Sequence, residues 1–258
     1  MDKLLHSKVI GQGEPLVILH GLFGMLDNWQ GIAKQLGVFF ETHILDQRNH
    51  GKSFHDDHHN YDAMCEDLRL YLDEKQIHKI VLIGHSMGGK TAMLFAAKYP
   101  KRVKKLVIVD IAPKYYAPHH QEILTGLKDV RDSEITSRKQ ADFILSNHFS
   151  DINVRQFLLK NLYWKSKTEL DFRFNLDVLS LEILNVGAPL SDGLTFLNPT
   201  LFIDGEQSNY ILEEDQELIE THFPNSEIVT VKNVGHWVHA EDPKTFFEMV
   251  YRFLIYAS

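Results

Sequence analysis

A chain of 258 residues, 44% of them hydrophobic, is long enough to bury one sizeable core, and its ordinary composition excludes a disordered or repetitive protein. The formal net charge of −8 excludes a broadly basic nucleic-acid surface and an anionic membrane as main partners, while leaving room for a local basic pocket. Cys65 is the only cysteine, so a disulfide framework is excluded, and no apolar run approaches the ~18 residues that span a bilayer. With no apolar leader core in MDKLLHSKVI, the expected location is the cytoplasm, with no membrane span.

Residues 4–10 and 16–20 are apolar runs separated by Gly11-Gln12-Gly13-Glu14-Pro15, which reads as a hairpin-like turn between strands. The second run enters His20-Gly21-Leu22-Phe23-Gly24, a glycine-rich loop able to turn the backbone N–H of Leu22 or Phe23 inward. The Phe23 side chain is placed as a pocket wall or a core aromatic. A helix is expected over 29–37 and a short strand over 42–46.

Asp46-Gln47-Arg48-Asn49-His50-Gly51-Lys52-Ser53 gathers chemically tempting side chains, yet reads better as a tight polar turn with Asn49 in the left-handed region. His55-Asp56-Asp57-His58-His59 is read as a solvated loop; neighbours so close in sequence cannot converge on one ion, and no metal is expected. Met64, Leu68, Tyr71 and Leu72 mark a helix over 61–76, in which Cys65 is placed as half-buried.

The β-branched run Ile80-Val81-Leu82-Ile83 leads into Gly84-His85-Ser86-Met87-Gly88 and then into helix-forming residues 91–97. Strand, sharp turn and helix in this order present a serine hydroxyl at a helix N-terminus, where the Met87 N–H can face a developing oxyanion. Glycines two before and two after Ser86 let the flanking main chains pass without Cβ collisions. Residues 104–112 form the next buried strand, so strands alternate with helices as in a parallel sheet covered on both faces.

The alternation then stops. Residues 113–198 show amphipathic helices, with Ile123, Leu124, Leu127 and Val130 on one face and Val154, Phe157, Leu158 and Asn161 or Leu162 on another. No convincing buried strand is expected there, and a helical insertion beside the serine turn would serve as a lid that excludes water. The expected organisation is a core of residues 1–112 and 199–258 carrying a cap of residues 113–198. The sheet resumes at 199–205, with a helix near 212–222, a strand at 227–231, and a last helix capped by Asp242 and opened by Pro243.

Ser86 needs a base. Among fifteen histidines, His236 stands in a loop after the last strand, on the edge where ligands approach open α/β sheets. His239 competes and is read as a loop or helix-entry residue. The third member is a carboxylate that holds the imidazole. Relatives of this fold carry it in a G-x-x-D turn, but the turn here is Gly205-Glu206-Gln207-Ser208. Either Asp204 or Glu206 substitutes, or the acid has moved to Asp110 at the end of the strand that follows the helix after Ser86. Asp110 is preferred because it lies on the correct edge next to the strand of Ser86, and Ser208 then hydrogen-bonds the Asp110–His236 pair.

These motifs resemble the α/β-hydrolase superfamily and, within it, bacterial serine esterases. The resemblance rests on 20–24, 46–53, Gly84-His85-Ser86-Met87-Gly88-Gly89-Lys90, Asp110-Ile111-Ala112-Pro113, Arg173-Phe174-Asn175 and 235–241, spanning nearly the whole chain. It implies an α/β-hydrolase fold with a mostly parallel sheet of seven or eight strands, flanked by helices and carrying a helical lid insertion. It also implies a carboxylic-ester hydrolase without cofactor, acting on small-molecule acyl esters or thioesters, and supports Asp110 and Ser208. The expected site is Ser86, Asp110 and His236 with the Leu22 and Met87 N–H groups as oxyanion hole, and Phe23, Tyr210 and Trp237 as pocket walls. The rivals are C–C bond hydrolysis on the same scaffold and a hydrolase-like binding protein. Lys114, Lys128, Arg131, Arg138 and Arg155 are read as solvated helix-face charges rather than a site for an anionic leaving group.

Overall fold

The computed structural model describes residues 3–167 and 169–256, in which the alternating apolar runs pair into a seven-stranded sheet with helices on both faces. Along the chain come β1 (Ser7–Ile10), β2 (Glu14–Leu19), α1 (Gln30–Leu36), β3 (Phe40–Leu45), α2 (Tyr61–Glu74), β4 (Ile80–His85), α3 (Met87–Lys98) and β5 (Val103–Val109). Then follow α4 (Gln121–Asp132), α5 (Arg138–Ser146), α6 (Ile152–Leu159), the pair β6 (Leu162–Trp164) and β7 (Leu170–Phe172), α7 (Leu176–Leu181) and α8 (Ile183–Val186). The sheet resumes with β8 (Thr200–Gly205), then α9 (Gln216–His222), β9 (Ser226–Val231), α10 (Val238–Glu241) and α11 (Pro243–Tyr256).

The spatial order is β1-β3-β2-β4-β5-β8-β9, and every pairing is parallel except that of β1 with β3. Burial explains the runs of β-branched residues. Ile80 and Leu82 point into one apolar cluster with α2 and α3, while Val81 and Ile83 point into the other with α1 and α11. A strand whose alternate residues are both buried cannot show an apolar–polar alternation. The Asp242 carboxylate accepts from the Thr245 N–H at 3.0 Å, which caps α11 where the sequence placed its start.

Four expectations need correction. Residues 11–15 do not form a hairpin, because β3 lies between β1 and β2 and pairs with both. A Cβ at Gly11 would stand 2.0 Å from the Gly37 carbonyl oxygen, so the segment crosses tightly against the entry to β3 instead of folding back on itself. The insertion carries a short antiparallel strand pair, β6 and β7, whose three-residue strands are too brief to show a periodicity. Cys65 is fully buried in α2, not half-buried. His59 is also buried, its ring 5.6 Å from that of His50, whereas His58 beside it is exposed.

The order β3-β2-β4 reverses the direction in which strands are added, so the loops after β2 and β4 diverge and leave a crevice at their carboxyl ends. Residues 20–24 and Ser86 lie there. No described helix is long and apolar enough to cross a membrane.

Candidate active site

Ser86 links β4 to α3 with φ 52° and ψ −118°, a conformation that L-residues adopt only under strain. Its N–H is fixed by the Val109 carbonyl at 3.0 Å. The turn closes only because the two nearby glycines lack side chains: a Cβ at Gly84 would meet the Gly88 carbonyl oxygen at 2.3 Å, and one at Gly88 would meet that of His20 at 2.5 Å. Met87 is the first residue of α3, so its N–H has no acceptor within the helix.

Asp110 follows β5, also in the left-handed region at φ 48°, and is fully buried. The positive φ turns its carboxylate toward the loops that leave β8 and β9. There Oδ2 lies 2.6 Å from His236 Nδ1 and accepts from the Ser208 hydroxyl at 2.5 Å, while Oδ1 accepts from the Gly205 N–H at 3.3 Å. Glu206 is occupied elsewhere, accepting from the Asn233 N–H at 2.8 Å. Asp204 has a buried Oδ1 with no hydrogen-bond partner.

Burial raises the Asp110 carboxyl above its ordinary range, against the Ser208 hydroxyl and Gly205 N–H, which both favour the charged form. Burial lowers the His236 imidazole, with His119 acting in the same direction and Glu241 opposing. A neutral imidazole is the form that can accept a proton.

The loop holding His236 is braced by three further groups. Glu241 accepts from the Gly235 N–H at 2.7 Å and the Trp237 N–H at 3.1 Å. His85 diverges from Ser86, as adjacent side chains on a turn must, and its Nε2 lies 2.9 Å from the His236 carbonyl. Tyr210 stacks on the His236 ring at 4.1 Å between centroids and 21° between planes, and its hydroxyl meets His119 Nε2 at 2.7 Å. A carboxylate four residues after Trp237 was the available signal for Glu241; the stacking of Tyr210 had none. His239, buried, stacks on Trp29 at 3.9 Å and serves the core.

Of the two donors offered by residues 20–24, Phe23 is engaged: its N–H donates to His50 Nε2 at 3.1 Å. Leu22 remains as the loop donor beside Ser86, and both line a cavity of about 210 Å³ together with Phe23, Tyr210, His236 and Trp237. Each expected site residue except Met87, Asp110 and Ser208 thus borders that cavity. Met87 lines a smaller adjoining space with Ser86 and Leu22, Ser208 lines a separate cavity of about 380 Å³ with Tyr210 and His236, and Asp110 is fully buried.

The cations of the insertion stand elsewhere, but not all are solvated helix-face charges, since Arg155 is buried and Lys114 lies ahead of α4 against the buried Asp215. Lys114 pairs with Asp215 at 2.5 Å, Arg131 with Asp177 at 2.5 Å and Arg155 with Asp142 at 2.9 Å, while Arg138 donates to the Leu159 and Leu162 carbonyls. Among the described residues, no group of three or more His, Cys, Asp or Glu side chains is arranged to hold a metal.

A serine on such a turn, at the carboxyl edge of a mostly parallel sheet, is the architecture of the α/β hydrolase fold; that family matches residues 14–243, and the chain belongs to it. Esterase YbfF of Escherichia coli is 38% identical over 245 residues, covering 93% of this chain and 92% of that protein. The sn-1-specific diacylglycerol lipase ABHD11 of Danio rerio is 39% identical over 253 residues, covering 95% of this chain and 79% of that protein. Among solved structures, a marine microorganism esterase superposes with a TM-score of 0.94 at 39% identity, covering 98% of this chain and all of that one.

Proposed function

We propose that the protein is a serine hydrolase that cleaves carboxylic esters or thioesters through an acyl-enzyme. The single observation that carries this reading is the convergence of Ser86, on its strained turn, with the Asp110–His236 pair at one cavity. In this mechanism the Ser86 hydroxyl attacks the acyl carbonyl as His236 takes its proton, and the Leu22 and Met87 N–H groups hold the tetrahedral oxyanion. His236 then protonates the departing oxygen or sulfur, and water repeats the sequence on the acyl-enzyme. Asp110 holds the imidazole and offsets its charge. The esterases and the lipase among the relatives support an acyl substrate.

Residues 113–198 act in this reading as the lid. Ile123, Val154, Phe157 and Leu158 from that segment wall the 210 Å³ cavity. Lys90, one turn beyond Ser86, donates from its Nζ to the carbonyls of Lys114 and Ala188 and so fastens both ends of the segment beside the serine turn. Water exclusion there would protect the acyl-enzyme until the leaving group departs.

A fluorophosphonate probe read by intact mass tests the reading. One adduct, mapped to Ser86 and absent from Ser86→Ala, is expected; an unlabelled wild type would favour a binding protein on a hydrolase scaffold.

Ser208 gives a pH test. Its hydroxyl stabilises the Asp110 carboxylate, so Ser208→Ala raises the apparent pKa at which the Asp110–His236 pair takes up a proton. Activity requires the pair deprotonated, so the acid limb of kcat/KM moves to higher pH, and the loss of roughly tenfold at neutrality shrinks as pH rises. A pH–rate profile lowered without moving its midpoint would show that Ser208 only packs.

A further inference from the structure

The 210 Å³ cavity is one of three that border His236. One of the others, about 380 Å³, runs along Gln207, Ser208 and Asn209 on the edge where Ser208 and His236 Nδ1 meet Asp110, away from the nitrogen that passes the proton. The larger one, about 740 Å³, shares Gly21, His85, Phe157, His236 and Trp237 with the 210 Å³ cavity. Their walls differ in kind. The smaller is bounded by Leu22, Phe23, Ile123, Val154 and Leu158, and the larger by Asn28, Asn153, Gln156, Lys160 and Gln207. Helix α6 stands between them, facing the larger cavity with Asn153 and Gln156 and the smaller with Val154 and Leu158. At about 100° per residue, Asn153, Gln156 and Lys160 fall within about 60° of one another, Val154 and Leu158 cluster on the adjacent side, and Phe157 lies between. Phe157 accordingly borders both cavities, and its ring meets that of Trp237 at 5.5 Å to close the partition.

The chemistry of acyl transfer assigns the two spaces. His236 must hand its proton to the leaving atom, so the leaving group lies on the His236 side. The larger cavity is walled by His236 but not by Ser86 or Leu22, whereas the smaller contains both and is apolar. The acyl chain therefore belongs in the smaller cavity, whose volume holds about seven water-sized groups, a chain of roughly six to eight carbons.

The larger cavity carries the carboxylates of Asp151 and Glu241 against the one ammonium of Lys160, which donates to the Asp27 carbonyl at 3.2 Å. Such a wall offers amides and no surplus of cations, which suits hydroxyl groups and disfavours phosphates.

Resting on the serine-hydrolase reading, we infer that the substrate is an oxygen ester joining a medium-length apolar acyl chain to a neutral, polyhydroxylated alcohol, with α6 reading one part on each face.

The test measures kcat/KM for the purified full chain on glyceryl esters of two to sixteen carbons, on ethyl hexanoate and on hexanoyl-coenzyme A. Wild type is expected to prefer glyceryl hexanoate or octanoate to longer and shorter chains, and to prefer glyceryl hexanoate to both the ethyl ester and the thioester. Val154→Trp should move the optimum to shorter chains and Val154→Ala to longer ones, each leaving the glyceryl-to-ethyl ratio in place. Gln156→Leu should lower that ratio about fivefold without moving the optimum.

The assignment is overturned if hexanoyl-coenzyme A is the better substrate, or if neither Val154 variant moves the chain-length optimum. It is also overturned if Gln156→Leu shifts chain length rather than alcohol preference. Failure of the underlying reading looks different: wild type then hydrolyses nothing in the panel and Ser86 takes no fluorophosphonate label.

Discussion

Ser86→Ala is expected to lower kcat on an activated ester by a factor on the order of 10⁶, about 8 kcal/mol of transition-state stabilisation, with the fold retained. The size follows from what disappears. Without Oγ there is no covalent path, and the remaining oxyanion donors and cavity contacts can only assist direct attack by water. Folding should survive because the backbone at 86 is held from both sides, by the Val109 carbonyl and by the bond from the Lys90 N–H to the Ser86 carbonyl, neither of which uses the hydroxyl. Circular dichroism checks the fold, and a stopped assay with an internal wild-type dilution series sets the detection floor. Residual turnover within a hundredfold of wild type would move the nucleophile away from Ser86.

Asp110→Asn is expected to cost on the order of 10⁴ in kcat. The two side chains are nearly isosteric, and the buried site still offers hydrogen-bond donors in Ser208 and the Gly205 N–H. What changes is the group facing His236 Nδ1. A carboxylate oxygen accepts its N–H and favours an unprotonated Nε2 toward Ser86; an amide presented through its NH₂ favours the opposite tautomer. Asp204→Asn and Glu206→Gln supply the comparison, since neither carboxylate contacts the imidazole, and both should stay within a few-fold of wild type. A greater loss from Asp204→Asn than from Asp110→Asn would reassign the acid.

Much of this arrangement is legible in the sequence, because backbone constraints leave marks there. Gly84 and Gly88 flank a turn that no Cβ could share, and the buried strands announce themselves as β-branched runs. The substitution of Ser208 for an expected aspartate pointed to Asp110, beside which the Ser208 hydroxyl lies in the fold.

What stayed hidden depends on partners distant in the chain. Nothing in residues 7–10 says that they pair with 42–45 rather than with their neighbour β2, and nothing in His59 says that His50 will cover it. Tyr210 reads from the sequence as a pocket wall and borders the 210 Å³ cavity, but its parallel contact with the imidazole arises from how two loops meet. Helix α6 is the clearest case. Its apolar stripe was visible as Val154, Phe157 and Leu158, yet periodicity records only which residues avoid water, so the opposite stripe looked like ordinary surface.

Phe23, Ser86 and Asp110 stand just beyond the carboxyl ends of β2, β4 and β5, and all three are non-glycine residues at positive φ, between 48° and 58°. Each such residue costs about 1–3 kcal/mol of folding free energy. Glycine would relax any of them, but at Phe23, buried in the core at 2% exposure, the lost packing of about 3–5 kcal/mol outweighs that gain, whereas at Ser86 little packing is lost and only the hydroxyl used by the proposed mechanism disappears. Heat-resistance screens that score folding alone are therefore drawn toward Ser86 in particular, and at that turn thermostability and the proposed turnover become opposing objectives of selection.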